Sequence, residues 1–466
     1  MADPILIFSD CSAGVITNVK SELAPPNSVE VGVNLVFDEV FGEAKVRKGS
    51  TILGSQINGS NEVLGLSQFL NSSGTVTKLQ AVVAGTIYYY DGTWHNSGQN
   101  GTTGIKHRFL TFLNNIVRFN GVDAAKSSTN GTSWTTGTAL DVGNFPLGQF
   151  GTVYKDQVVV AGVSGDPDTL YISSVPTSGA ISWTSDNRTI TINPEDGQNI
   201  TALGEINGML IIFKDHSMYT WNNRSTEADE LVNVGCSSQE SVTPCGNALA
   251  FFNSKGVWLT NGGYPVMISR PVQKWIDGMT SSYYTSVAAI GDEQHLYISI
   301  GDCTVDGLSY YNIVLRYSIN TKEWSVFSYA NKFKVFASYV DTTYKIVGGD
   351  TISKVLEIES SSLTDNTTDI RFDLQSHDQF FGSRGVKKEI TERAMMYSKN
   401  ANGIVQVRID DGDWKMVGSF AKQVENLQVK DVLAGNSFKF RVVGISQNRA
   451  QLQGIELPNA SALGYS

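Results

Sequence analysis

Between residues 50 and 362 the chain repeats one phrase: a short apolar strand, a turn of Asn, Asp or Gly, and a second strand that ends in another turn. It is written as KLQAVVAGTIYYYDGTW (78–94), RFLTFLNNIVRFNG (108–121), FGTVYKDQVVVAG (150–162), ITALGEINGMLIIFKDHSMYTW (200–221) and VTPCGNALAFFNSKGVWLTNGG (242–263). It returns in VAAIGDEQHLYISI (287–300) with YYNIVLRYSINTKEW (310–324), and in FKVFASYVDTTYKIVGG (333–349). The period is roughly 40–50 residues, the size of a propeller blade. A sheet that small cannot bury both faces alone, whereas a ring of such sheets buries each against its neighbours. The sequence therefore reads as all-β, a six- or seven-bladed β-propeller over residues 49–362, with a pair of β-sandwiches as the second choice.

Tryptophan punctuates the phrase. Trp94, Trp134, Trp183 and Trp324 follow turn-like text (DGTW, NGTSW, GAISW, TKEW), where an outer strand would cover the gap between adjacent sheets. The octet SSTNGTSW, from Ser127 to Trp134, resembles the Asp-box hairpin of sialidases and other propellers, with Thr129 in the place of the Asp. That box is a structural turn. Only 17% of residues are charged, while 45 are Gly and 10% aromatic, which favours short strands with tight turns and argues against helical repeats.

Two segments flank the repeats. Residues 1–48 hold turn-rich text (SELAPPNS), an apolar stretch (VGVNLVF) and the basic cluster Lys45, Arg47 and Lys48. They are expected to form an extended N-terminal arm with one or two strands, laid on its own body or on a neighbour because it buries little alone. After the polar linker SSSLTDNTTD (360–369), segments such as GIVQVRIDDGDWKMVG and FKFRVVGIS alternate apolar and polar residues. That pattern fits a C-terminal antiparallel β-sandwich over 366–466.

Charge divides in the same place. Residues 1–365 hold 22 basic and 34 acidic side chains, and residues 366–466 hold 13 and 11, within a net charge of −10. An acidic surface repels the phosphate backbone, so it disfavours nucleic-acid binding by counterion release and suits a conduit through which DNA slides.

The usual carriers of chemistry are missing. Cys11, Cys236, Cys245 and Cys303 are too sparse for a disulfide framework or a zinc site and read as buried thiols. His95, His107, His216, His295 and His377 are scattered, and no GxSxG elbow, P-loop or GxGxxG after a strand occurs. The pairs Asp166 with Asp168 and Asp292 with Glu293, and the trio Asp410, Asp411 and Asp413 beside Trp414, would suit glycosidic chemistry at separations of about 5–10 Å, or calcium. They sit in turn-like text and read as hairpin loops. Arg118, Arg188, Arg224, Arg270 and Arg316 would hold a substrate carboxylate only if the fold brought them together. Arg384, Lys387, Lys388 and Arg393, like the arm cluster, read as solvated faces or subunit contacts. No catalytic residue, metal or cofactor is assigned. The opening MADPILIFSDCSAG lacks the basic start and apolar core of a signal peptide, and no run approaches the length of a membrane span. The nine Asn-x-Ser/Thr sequons, at Asn58, Asn71, Asn100, Asn130, Asn187, Asn199, Asn223, Asn366 and Asn459, read as turn vocabulary.

A family resemblance rests on three segments. Ser241 to Ile276, SVTPCGNALAFFNSKGVWLTNGGYPVMISRPVQKWI, resembles the blade motif of propeller proteins in short-tailed phages, the packaged-DNA stabilisation proteins and related tail hub or nozzle proteins. The opening SAGVITNVKSELAPPNSVEVGVNLVFDEVFGEAKVRKGS is similar to the start of phage tail and head-closure proteins, with Ala13 before Gly14 and Lys48 before Gly49 as departures. NSFKFRVVGISQNRAQLQGIELP is similar to their closing hairpin. The resemblance implies a non-catalytic virion protein below the portal, assembled as a homo-oligomeric ring of six copies. It would touch the portal or adaptor and other tail proteins, and retain and then pass DNA without reading its sequence. A propeller lectin or glycan-degrading enzyme of a phage tail, and a monomeric interaction scaffold, are the alternatives.

Overall fold

In a computed structural model, the structure describes residues 5–462 except 195, 224, 226, 382–385, 391–392, 430–432 and 458–459. The apolar runs form strands because both faces of each find a neighbour. In Gln157–Ala161, Val158 and Val160 join one buried cluster while Val159 and Ala161 join another, so alternation along one strand serves two gaps. Tight hairpins at 113–114, 155–156 and 207–208, with both residues at positive φ, match the right-handed twist of the strands they join.

Blade 1 comprises Val63–Leu70, Thr77–Val83, Thr86–Tyr90 and Trp94–Asn96, and blade 2 comprises Arg108–Phe112, Asn115–Phe119 and Lys126–Ser128. Blade 3 comprises Phe150–Tyr154, Gln157–Ala161, Thr169–Ile172 and Arg188–Thr191, and blade 4 comprises Ile200–Ile206, Met209–Lys214, Met218–Trp221 and Asp229–Val232. Blade 5 runs through Thr243–Cys245, Ala248–Asn253, Gly256–Thr260 and Val266–Met267. Blade 7 runs through Phe333–Val340, Tyr344–Asp350 and Val355–Ile358, and its outer strand is Thr51–Ile52 from the other end of the repeat region. These six are sheets of their own. Between blades 5 and 7, Ala288–Gly291, His295–Val305, Leu308–Ser318 and Trp324–Ser328 have the same order and make blade 6, but they continue into a larger sheet.

Neighbouring blades touch in sequence through their inner strands, except that Ile200–Ile206 of blade 4 meets Ala248–Asn253 of blade 5, and blade 7 returns to blade 1, so the ring is a β-propeller that closes with seven blades once blade 6 is counted. Six gaps hold apolar clusters of their own, and the gap between blades 5 and 6 opens into the core of the C-terminal sheet. Leu79, Val83, Val335 and Val347 fill the gap where the ring closes, and Tyr297, Val314, Phe333 and Leu356 fill that between blades 6 and 7. Trp94, Trp134, Trp183 and Trp324 lie at such gaps. Trp94 donates to the Leu53 carbonyl, Trp183 to that of Leu140 and Trp324 to that of Ile268, while Trp134 packs on Phe109.

Blade 6 extends through Val31–Val33, which pairs in parallel with Trp324–Ser328 and antiparallel with Arg371–Gln375. From there the sheet runs on through Phe438–Leu457, Arg393–Ile409 and Lys415–Phe420. Ile5–Ile7 and Ala44–Val46 also pair with Phe438–Leu457, so residues 5–48 lie on their own body. The C-terminal segment is thus antiparallel β throughout, yet it shares one 13-stranded sheet with blade 6. Register breaks near Ser398 and Ala401 let its two long strands bend around Met396, Val405, Phe440 and Leu452.

Candidate functional site: the channel mouth and the arm clamp

Two clusters of charge are built by residues far apart in the chain. The first fastens the arm. Arg47, wholly buried, uses all five of its N–H donors: Nε to Asn34 Oδ1 (2.8 Å), one terminal nitrogen to the Lys48 carbonyl (2.8 Å) and Asp365 Oδ1 (2.9 Å), the other to the Ser328 carbonyl (2.9 Å) and Asp365 Oδ2 (2.6 Å). Its guanidinium lies 3.9 Å from the Tyr329 ring centre. Arm, blade 6 and the segment after blade 7 meet on this one side chain.

Asp38 repeats the device, accepting both terminal nitrogens of Arg316 (3.0 and 2.9 Å) and facing His295 Nε2 at 2.9 Å. Burial alone would raise the Asp38 carboxyl, but His295 and Arg316 hold it well below the usual carboxylate range. These groups border a cleft of about 660 Å³ between blades 6 and 7, with Tyr297, Glu357 and Glu359. Nearby Glu323 is 2% exposed, and burial, then the Asp38 charge, push its carboxyl up to about 8. Glu30 completes the clamp by taking Lys274 (2.9 Å) and Lys439 (2.6 Å).

The second cluster sits where the inner strands begin, at one mouth of the central channel. Glu240, in the short turn Gln239–Ser241, accepts from Arg108 (2.7 Å) and Lys106 (2.9 Å). Burial opposes its charge, yet Arg108 and Lys106 bring the carboxyl down to about 2, while burial lowers the Lys106 ammonium. The Arg108 guanidinium stacks 5.0 Å over Phe150 and donates to the Gln149 carbonyl. A pocket of about 410 Å³ opens beside these groups, and Lys334, paired with Glu62 at 3.4 Å, adds a further cation. Along the axis lies a cavity of about 440 Å³ lined by Gly65, Phe109, Gly151, Val242, Ala289 and Val335. Three cations, Lys106, Arg108 and Lys334, gather at the mouth, each tied to a carboxylate.

The residues singled out in the sequence do not converge on one centre. Arg118 pairs with Asp123, Arg188 lies over Trp221, Arg270 is exposed in blade 5's connection, and Arg316 belongs to the clamp. Asp166 accepts from Thr169 and Tyr171, Asp168 faces Lys214 at 3.1 Å, and Asp292 accepts from the amides of Gln294 and His295. Glu293 is exposed. Asp410 holds the amides of Asn436 and Ser437, Asp411 pairs with Arg408, and Asp413 is exposed. In the octet the turn's acceptors are Ser128 Oγ and Asn130 Oδ1, so Asn130 and not Thr129 does the Asp's work.

His95 contacts Asp91, His107 the Thr102 carbonyl and His377 Ser28, and His216 is exposed. Among the described residues no group of His, Cys, Asp and Glu is arranged to hold a metal ion. The four cysteines are buried and unpaired, and burial pushes Cys11, Cys245 and Cys303 up to about 12 and Cys236 up to about 11, away from reactivity. Lys45 pairs with Glu39, Lys48 borders the cleft, Lys388 is buried and Arg393 exposed. Arg224, Arg384 and Asn459 lie outside the described residues. Lys106, Arg108 and Glu240 were not picked out from sequence. Their only signal is the basic triplet KHR at 106–108, which resembles any polar strand edge.

No protein-family model matches the chain, and the comparison with curated proteins returns no match. Solved structures similar to it include YCF48 from Cyanidioschyzon merolae, at 10% identity and a TM-score of 0.42, covering 66% of this chain and 98% of that one. Streptogramin B lyase is similar at 12% identity and a TM-score of 0.44, covering 67% and 97%. The WD40 β-propeller domain of Doa1 is similar at 12% identity and a TM-score of 0.29, covering 66% and 96%. Among the described residues no helix is long and apolar enough to cross a membrane.

Proposed function

We propose that the chain is a non-catalytic structural protein of a short-tailed phage, a virion tail hub or nozzle component that assembles as a ring, six copies by resemblance, below the portal. The observation that carries this reading is the clamp. The opening segment that is similar to phage tail and head-closure proteins holds residues that the fold uses to lock arm, propeller and C-terminal sheet together. Gly14 stands at φ +66°, where a Cβ would lie 2.8 Å from the Trp324 carbonyl oxygen, and a Cβ on Gly49 would meet that of Thr364 at 2.1 Å. Arg47, between them, is wholly buried and fully bonded. A body braced this way suits a passive conduit, and its acidic balance suits transit of DNA without sequence-specific binding.

A glycan-binding reading draws on the mouth pocket, where Arg108 lies across Phe150. Negative-stain imaging with mass photometry, on the chain alone and with its portal and adaptor, decides between them. Rings, or rings that form only on the adaptor, are expected. A chain that stays monomeric, ignores the adaptor and is retained on host polysaccharide overturns the tail reading. Because residues 5–48 are woven into the body, the arm's part is tested with point substitutions and not by deletion.

A further inference from the structure

Within the arm, Leu35–Val36 and Ala44–Val46 pair as a hairpin whose tip, residues 37–43, rests on blade 6. Two carboxylates hold the tip down. Asp38 accepts from Arg316 and faces His295, and Glu39 takes Lys45 and Arg449. At the far end of the tip Phe41 stands 87% exposed. Against Phe37 and Asp38, in the turn before Trp324–Ser328, lies Glu323.

Glu323 is closed off from solvent, and neither oxygen of its carboxyl is hydrogen-bonded. The Phe37 amide and Thr321 stand near it without a bond of ordinary geometry. From the arm it faces the Asp38 carboxylate. From blade 6 it faces the Arg316 guanidinium, whose two terminal nitrogens Asp38 already takes. His295 and Tyr297 of blade 6 and Glu359 of blade 7 act on that pair. The segment of Gly14 and Val15 packs on the Glu323 stem and brings no ionisable group; a Cβ on Gly14 would lie 3.1 Å from Glu323 Cβ. A carboxylate at this place would be a second negative charge beside Asp38, unbonded and away from water, so the closed contact holds Glu323 as the neutral acid. Burial, and then the Asp38 charge, push its carboxyl up to about 8 from 4.5.

We infer that the hairpin tip is a latch gated by one proton: it rests on blade 6 while Glu323 is neutral, and loss of the proton favours a lifted tip in which the Glu323 carboxylate is hydrated. What the latch moves is an exposed aromatic, Phe41. Arg47, bound to Asp365, keeps the rest of the arm in place, so the motion is confined to the tip. Lifted, Glu323 ionises at its ordinary 4.5, and closed it ionises at about 8. From about pH 5 to pH 8 each lifting therefore releases one proton, and the lifted fraction rises about tenfold per pH unit. The latch is complete below 4.5 and weakens no further above about 8.

The test is native-state hydrogen exchange of the full-length chain from about pH 5 to pH 8, with each rate divided by that of the unfolded chain at the same pH. The amides of Glu43 and Cys11 bond to the Val40 and Gly42 carbonyls in the tip. Their protection is expected to fall about tenfold per pH unit, while amides between blades 3 and 4 keep theirs. Glu323→Gln keeps the size and the neutral state of the closed side chain, and it is expected to abolish the slope. Infrared spectra supply a second readout: a protonated-carboxyl band present in the wild type at about pH 6, lost as pH rises through about 8, and missing in Glu323→Gln. Protection that stays level over this range, a slope that survives in Glu323→Gln, or a slope shared by blades 3 and 4 overturns the latch. A wild-type chain without that band at about pH 6 overturns it too. Should Glu323→Gln fail to fold, the wild-type slope decides. None of these outcomes bears on whether the chain forms rings.

Discussion

Replacing Asp365 with Asn removes one charge from a clamp that is closed to solvent. Arg47 keeps its bonds to Asn34, Lys48 and Ser328 and its place over Tyr329, but its buried cation loses the carboxylate paired with it. Two charge-assisted hydrogen bonds, at 2.9 and 2.6 Å, are weakened, and leaving one member of a buried pair behind costs about 3–5 kcal/mol. At about 1.4 kcal/mol per factor of ten, native-state hydrogen exchange at the amides of Asn34, Arg47 and Gly49 should speed up by roughly two to three and a half orders of magnitude. These amides bond to Val326, Asn34 and Ser362 across the clamp. Amides at the blade 3 and blade 4 interface should not change. The double variant Arg47→Met with Asp365→Asn, which removes both charges, should lose less than Asp365→Asn alone. An exchange change below tenfold, or a double variant as unstable as the sum of the single ones, would refute the account of Arg47 as the hub.

Three further outcomes follow from the two clusters and the arm. Glu240 lies at about 2 in the folded chain, below its ordinary value of 4.5, so its stabilisation is complete above that value and is lost as pH falls towards 2. Glu240→Gln should flatten the acid limb of the stability profile and cost about 3 kcal/mol at neutral pH by stranding Arg108 and Lys106, read by urea unfolding at pH 7 and pH 3. Glu323 has the opposite sign. With a folded value of about 8 against 4.5, its contribution is complete below 4.5 and lost as pH rises through 8, so Glu323→Gln should stabilise the chain at pH 9 and change little at pH 4 in thermal melts. Gly14→Ala forces a side chain into the left-handed region and against Trp324, and should cost about 2 kcal/mol or more in the same melts.

Local pattern was enough for the blades, because what makes a blade is short range. A run such as Gln157–Ala161 is apolar on both faces, and the turns that join strands carry Asn, Asp and Gly at positive φ. The tryptophans and the acidic-to-basic change near residue 365 were legible for the same reason. The candidate site was not. Glu240 lies 132 residues from Arg108, and Asp365 lies 318 from Arg47. No periodicity links such partners, and each looks like a solvated charge until the fold removes the water around it. SSSLTDNTTD reads as a polar linker, yet Asp365 within it is buried.

What the sequence by itself determined is the all-β blade repeat, its turns and the uneven charge of its two parts, since hydrophobic alternation and turn chemistry act between near neighbours. Only the tertiary structure decided that Thr51–Ile52 closes blade 7, that Val31–Val33 joins blade 6 to the C-terminal sheet, and that Arg47, Asp38 and Glu30 are fasteners. Strand edges and buried charges choose partners by register, shape and lost hydration, and those exist only once distant segments have met.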